Sequence, residues 1–182
     1  MLVVDEQLSD LDRNKFNASA AAIKGFSIFS NEVVYLLDKR GNINYEKLNN
    51  FLIKNQKKKF LIFGFTSNIF TNLIEKLDIR KLKIKDFSNA FLIHGGGWKK
   101  IENKKISRKK FNFYLKKKFI IQNVRNYYGL VEQIGSIFFE CKCGYFITSN
   151  FSDIIVRNEN LDVCKNGQRG LVQLISLLPT SY

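Results

Sequence analysis

Three short segments hold residue types that could do chemistry together. They are Phe65-Thr66-Ser67-Asn68, His94-Gly95-Gly96-Gly97-Trp98-Lys99-Lys100 and Asn126-Tyr127-Tyr128-Gly129-Leu130-Val131-Glu132. The triple glycine Gly95-Gly96-Gly97 lets backbone approach a ligand closely, because no Cβ intervenes. Its N–H groups can meet an anion or the edge of a base. The same three residues also suit a plain flexible turn. They do not form the G-x-x-x-x-G-K-[ST] or G-x-G-x-x-G phosphate loops. In the third segment, Gly129 permits a tight strand-to-helix turn, and a helix starting there would set Tyr128 and Glu132 one turn apart. A ring beside a carboxylate suits a purine and a Mg²⁺-bound phosphate. Taken without its context, the segment is better read as a core tyrosine with a surface glutamate. His94 is the sole histidine; it is a candidate acid/base near neutral pH, or a structural hydrogen-bonding group. One histidine supports no Ser/His/Asp or Cys/His constellation.

The elements around these segments alternate. Leu2 to Val4, Val33 to Leu37, Phe60 to Phe65, Ala90 to Ile93 and Phe119 to Val124 read as strands. Asn14 to Ile28, Tyr45 to Lys54, a segment from Thr66 or Ser67 to about Leu77, and a Ser107-capped segment to about Lys117 read as helices. Phe60-Leu61-Ile62-Phe63-Gly64-Phe65 is continuously apolar, as a strand buried on both faces should be. The order β-α-β-α-β-α-β-α-β predicts an α/β fold, a mostly parallel sheet with crossover helices. Such sheets bind ligands beyond the carboxyl ends of their strands, and all three segments sit at such ends. Past Gly135 the helices stop, and Ile137–Glu140, Tyr145–Thr148, Ile154–Arg157 and Leu171–Leu177 predict a small antiparallel β region. The chain thus divides into an α/β core over 1–135 and a β-rich subregion over 136–182.

The chain's chemistry bounds the function classes. Thirty Lys+Arg stand against sixteen Asp+Glu, a net charge of +14. The excess is mostly lysine in short scattered clusters, without a shared stripe of aromatics. A solvated surface therefore outweighs a nucleic-acid or anionic-surface role, which stays as the alternative reading. No apolar run is long enough to span a membrane. The acidic start Met1-Leu2-Val3-Val4-Asp5 is unlike a signal peptide. With Cys141, Cys143 and Cys164 as thiols, a cytoplasmic location is expected. C-x-C spacing is a poor match to zinc.

Taken together the segments resemble the acyl-protein synthetase (LuxE) family, a branch of the adenylate-forming superfamily related to phenylacetate–CoA ligases. The matching stretches, in order, begin with Phe16 to Phe26, Leu61 to Thr66 and His94-Gly95-Gly96-Gly97-Trp98-Lys99-Lys100. Tyr128-Gly129-Leu130-Val131-Glu132, Phe139-Glu140-Cys141, Gly167 to Gln173 and Leu178 to Tyr182 complete the set. The resemblance implies part of an adenylate-forming N-terminal domain over 1–182. It implies that ATP and Mg²⁺ activate a fatty or other carboxylic acid as an acyl-adenylate, which then passes to a thiol of a protein cysteine or coenzyme A. Gly95, Gly96, Gly97 and Gly129 then belong to the nucleotide site, Tyr128 lies against adenine, Glu132 holds Mg²⁺ through the phosphates, and His94 contributes to catalysis. The family's phosphate loop is expected before residue 1, and its ribose-holding aspartate and C-terminal lid after Tyr182. A chain without them is expected to be nearly inactive alone, with a complementary polypeptide as a possible partner. Ser19 stands where the family pattern leads one to expect arginine, and Val131 where it has Thr or Ser.

Overall fold

The computed structural model describes residues 1–7, 18–98, 101–130, 133 and 135–178. Two compact units divide between Asn126 and Tyr127. The first holds β1 (Leu2–Glu6), α1 (Ala18–Ser27), β2 (Val34–Leu37), α2 (Tyr45–Asn55), β3 (Phe60–Phe65), α3 (Thr66–Asn68), β4 (Ala90–Gly95), α4 (Arg108–Phe119) and the start of β5 (Asn123–Gly129). The second holds the end of β5 with β6 (Ile137–Glu140), β7 (Phe146–Ile147), β8 (Ser152–Arg157) and β9 (Leu171–Ser176). The fold is mixed α/β, with a mostly parallel seven-stranded ladder and a two-stranded antiparallel sheet of β8 and β9.

In the first unit, the order β2-β1-β3-β4-β5 is parallel throughout. Period-two geometry sends successive side chains to opposite faces. Leu2, Val4, Ile62 and Leu92 therefore share one face and pack into a core with Leu48, Phe51 and Leu52 of α2 and Phe111, Leu115 and Phe119 of α4. On the opposite face Phe63 meets Phe26 of α1, ring centroids 4.6 Å apart. Both faces are covered, which accounts for the unbroken apolar run of β3. Asn44 caps α2 by accepting from the Lys47 N–H, and Ser107 caps α4 by accepting from the Lys110 N–H.

Three local expectations need correction. Neither Thr66 nor Ser67 caps the helix after β3: Thr66 is its first residue, and Phe65, at the cap position, bonds nothing with its side chain. That helix continues from Ile69 to Lys76 with π winding, and the Leu77 N–H reaches back to the Asn72 carbonyl at 3.0 Å. Wide turns free carbonyls, and Lys118 Nζ donates to those of Leu73 (3.3 Å) and Ile74 (2.6 Å). Phe119 closes α4 rather than opening a strand: Ile120 stops the helix with a left-handed φ of 64°, and β5 starts three residues later. Tyr128 and Gly129 lie inside β5, not at the head of a helix. Antiparallel pairing of Tyr127, Tyr128 and Gly129 with Phe139, Phe138 and Ile137 holds them extended. That antiparallel pairing begins at Tyr127, the first residue of the second unit.

In the second unit, β6 pairs with β7 through Phe139↔Ile147 and Glu140↔Phe146. The β8–β9 register runs from Ser152↔Ser176 to Arg157↔Leu171. Gln133 Nε2 donates to the Leu174 carbonyl at 3.1 Å and so fastens the β5–β6 connection to β9.

Candidate nucleotide site

In the first unit the carboxyl ends of β3 and β4 lie side by side, and β5 is in register with β4 as far as Asn126. Phe65 pairs with Gly95, and His94 with Asn126. Parallel neighbours in register bring Phe65, Gly95 and Asn126 to one edge of the first unit's sheet, the edge at which open parallel sheets take ligands.

The turn after β4 is tied down by one hydroxyl. Thr66 Oγ1 donates to the Gly95 carbonyl at 2.9 Å and also lies 2.9 Å from His94 Nδ1. A hydroxyl has one proton. With that proton on Gly95 O, the Thr66 oxygen accepts from Nδ1–H of His94, which fixes the imidazole tautomer. His94 is only 7% exposed, and its ring lies 4.7 Å from that of Phe111. Burial lowers its pKa to about 4, with the Arg108 charge pushing the same way. His94 is thus neutral at pH 7, its ring held between β4 and α4.

The glycines differ in what requires them. Gly96 has φ 74°, and a Cβ there would stand 2.3 Å from Cδ1 of Phe65. Both the left-handed backbone and the phenyl ring exclude a side chain. Gly97 is also left-handed, at φ 65°, but has open space around it. Only the left-handed backbone, and no neighbouring atom, therefore calls for glycine at 97. Trp98 anchors the exit, its ring 5.1 Å from Phe70 and 6.0 Å from Phe111.

Tyr128 and Gly129 belong to the second unit. Tyr128 is 45% exposed. Its ring stacks on Phe138, its cross-strand partner, with centroids 6.3 Å apart, and also lies 6.3 Å from Phe146. The ring is held yet open to solvent. A Cβ at Gly129 would come within 3.1 Å of the Ser136 carbonyl, so glycine is required there by the approach of β6. Tyr127, half-buried beside it, has its phenol pKa pushed up to about 12 by desolvation. Glu132 and Val131 lie outside the described residues. Ser19, at the position where arginine was expected, donates from its hydroxyl to Asp5 Oδ2 at 3.4 Å.

Sequence reasoning found the glycine turn but not its fastening. Thr66 reads as a helix cap, and the residues it actually bonds lie 28 and 29 positions away. A cleft of about 320 Å³ between β2 and α2 is bridged by the Glu32–Lys54 ion pair at 2.7 Å, and none of the three segments lines it. Among the described residues no group of three or more His, Cys, Asp and Glu could hold a metal, and no helix is long and apolar enough to cross a membrane.

Comparison with known proteins agrees with this architecture. Among solved structures, the amide bond synthetase McbA from Marinactinospora thermotolerans superposes with TM-score 0.53 at 12% identity, over 99% of this chain and 32% of that one. The N-terminal subdomain of NpsA from Klebsiella oxytoca, in complex with 3-hydroxyanthranilyl-AMSN, gives TM-score 0.49 at 14% identity, over 97% and 40%. The chain thus spans between a third and two fifths of the solved chains it resembles. A search of curated protein sequences gives no match. The family model described as acyl-protein synthetase, LuxE, matches residues 4–182, and the chain belongs to that family.

Proposed function

We propose that this chain supplies part of the nucleotide-binding face of an adenylate-forming ligase that uses ATP and Mg²⁺ to activate a carboxylic acid as its acyl-adenylate. The observation that carries the reading is the family match over residues 4–182 in a fold whose parallel β3 and β4 end together at Phe65 and Gly95. Gly97, left-handed with nothing against it, offers its amide to the nucleotide. Gly95 and Gly96 hold the turn that presents it. The exposed Tyr128 ring lies against adenine, where an aromatic contact is worth about 0.5–1.5 kcal/mol beyond area burial. Gly129 keeps that strand close to β6. Glu132 supplies the carboxylate for Mg²⁺ bound through the phosphates. The neutral His94 acts by orienting the turn through Thr66. The activated acyl group then passes to a thiol, of a protein cysteine or coenzyme A.

The chain spans 32% of the length of the amide bond synthetase it resembles. We place the family's phosphate loop, ribose-holding aspartate and lid in segments outside these residues, in one polypeptide or a partner. Positioning and preorganised electrostatics are each commonly worth several kcal/mol of barrier, so the 182 residues alone should turn over very slowly. The test is acid-dependent ATP–pyrophosphate exchange by the chain joined to those family elements. Exchange should fall by about a hundredfold or more, roughly 2.7 kcal/mol or more, in Glu132→Ala. A variant that keeps the full rate sinks the role of Glu132.

A further inference from the structure

The turn joining β6 to β7 carries two cysteines in an unusual setting. The Cys141 N–H donates to the Tyr145 carbonyl at 2.8 Å, and the Gly144 N–H to the Cys141 carbonyl at 3.0 Å. Gly144, at φ 94°, supplies the left-handed residue this five-residue loop needs. The closure turns successive amides inward. The Tyr145 N–H reaches Cys141 Sγ at 3.4 Å. The backbone N–H groups of Cys143 and Gly144 and the Cys143 side chain also favour the charged form of that sulfur. Converging backbone N–H groups form an anion-binding concavity. Here the anion they suit is a thiolate, and these donors lower the Cys141 pKa, the Tyr145 amide most.

The geometry also supplies a second sulfur. Cys143 is solvent-exposed, and its side chain is one of the groups that favour the Cys141 thiolate. Two residues apart in a bent chain, the Cα atoms lie closer than the roughly 7 Å of an extended pair. A disulfide accepts about 4.4–6.8 Å.

We propose that Cys141 and Cys143 form a thiol–disulfide exchange site that takes a small disulfide of the glutathione class, with Cys141 as the attacking thiolate and Cys143 as the resolving thiol. The Cys141 thiolate attacks one sulfur of the small disulfide, whose S–S bond breaks, and one small thiolate leaves and takes a proton from solvent. Cys143 then loses its proton to solvent and attacks Cys141 Sγ, expelling the second small thiolate. The protein dithiol loses two electrons and two protons, and the small disulfide becomes two thiols. Attack on the mixed disulfide is intramolecular, so the second step does not depend on the concentration of a further thiol. The site is separate from the proposed nucleotide chemistry and does not rest on it.

Cys164 provides an internal control, its thiol donating to the Arg169 carbonyl at 3.9 Å rather than receiving backbone N–H groups. The full chain is treated with glutathione disulfide, quenched with acid, and mapped by peptide mass spectrometry. Cys141 should form the mixed disulfide about tenfold faster than Cys164, as thiolate-stabilised cysteines do, and should convert to a Cys141–Cys143 disulfide. Cys143→Ser should stall with the adduct on Cys141. Cys164→Ser should behave as the parent does. Equal rates at Cys141 and Cys164, first reaction at Cys143, or no build-up of the adduct in Cys143→Ser would each overturn the proposal. Melting curves on each variant separate an altered reactivity from an altered fold.

Discussion

Among the described residues, those up to Asn126 hold nearly all the buried apolar side chains, whereas those from Tyr127 to Leu178 leave most of theirs open. Among the described residues every buried apolar side chain except Phe138 precedes Tyr127. In the second unit, Tyr145, Phe146, Ile147, Phe151, Leu171 and Val172 are all exposed. The difference teaches where each unit can exert an effect. In the first, side chains fix backbone: Phe65 excludes a Cβ at Gly96, and Thr66 clamps His94 and Gly95. In the second, side chains present surface, as the half-exposed Tyr128 ring and the Cys141 turn do. Substitutions in the first unit should therefore act on stability, and substitutions in the second on binding and reactivity.

The largest contrast should come from cavities. Leu73→Ala, at a fully buried position, should cost about 2–5 kcal/mol. Ile154→Ala, at an exposed one, should cost under about 1 kcal/mol. Urea unfolding midpoints measure both, and similar costs would erase the comparison.

Next comes pH. Burial holds the His94 pKa at about 4 in the fold, against an ordinary 6.5. Between those values the unfolded chain binds the proton and the folded chain does not, so stability rises with pH. The contribution is fully present above about pH 6.5, declines as pH falls toward 4 and then levels off, a span of about 3 kcal/mol. NMR titration of the imidazole should show a midpoint near 4, and a midpoint near 6.5 would show that the ring is not sealed.

The glycine turn offers a smaller and more specific effect. Gly96→Ala should cost about 1–3 kcal/mol, from left-handed strain and the clash with Phe65. Gly97→Ala carries only the strain, about 1–2 kcal/mol. Pairing Gly96→Ala with Phe65→Leu should recover part of the loss, and thermal melts of the four proteins read it out. The smallest effect on stability belongs to Tyr128→Ala, under about 1 kcal/mol, yet it should weaken binding of an adenylate mimic up to about tenfold.

Much of the first unit was legible in residue order. The run Phe60 to Phe65 forms β3 with those limits, and Leu48, Phe51 and Leu52 are the buried face of α2. The end of α4 was hidden because nothing local marks it. The stop is a left-handed isoleucine, Ile120, where a glycine is usual, and the apolar Phe119 and Ile121 read on as strand. Gly129 was read as the hinge of a helix because its actual constraint, the Ser136 carbonyl across the hairpin, is a tertiary contact. Thr66 misled for the same reason. Of the site, the glycine turn and its position after a buried strand could be read directly. The protonation state of His94 could not, since it depends on burial beneath α4.

The most direct measurement of the central claim is an amide NMR titration of this chain with a stable acyl-sulfamoyl adenosine, a mimic of the acyl-adenylate. The account predicts saturable shifts concentrated at Gly95, Gly96, Gly97 and Tyr128, with Tyr128→Ala weakening the binding while leaving the rest of the spectrum in place. Shifts confined to other residues, or none at millimolar ligand, would contradict it.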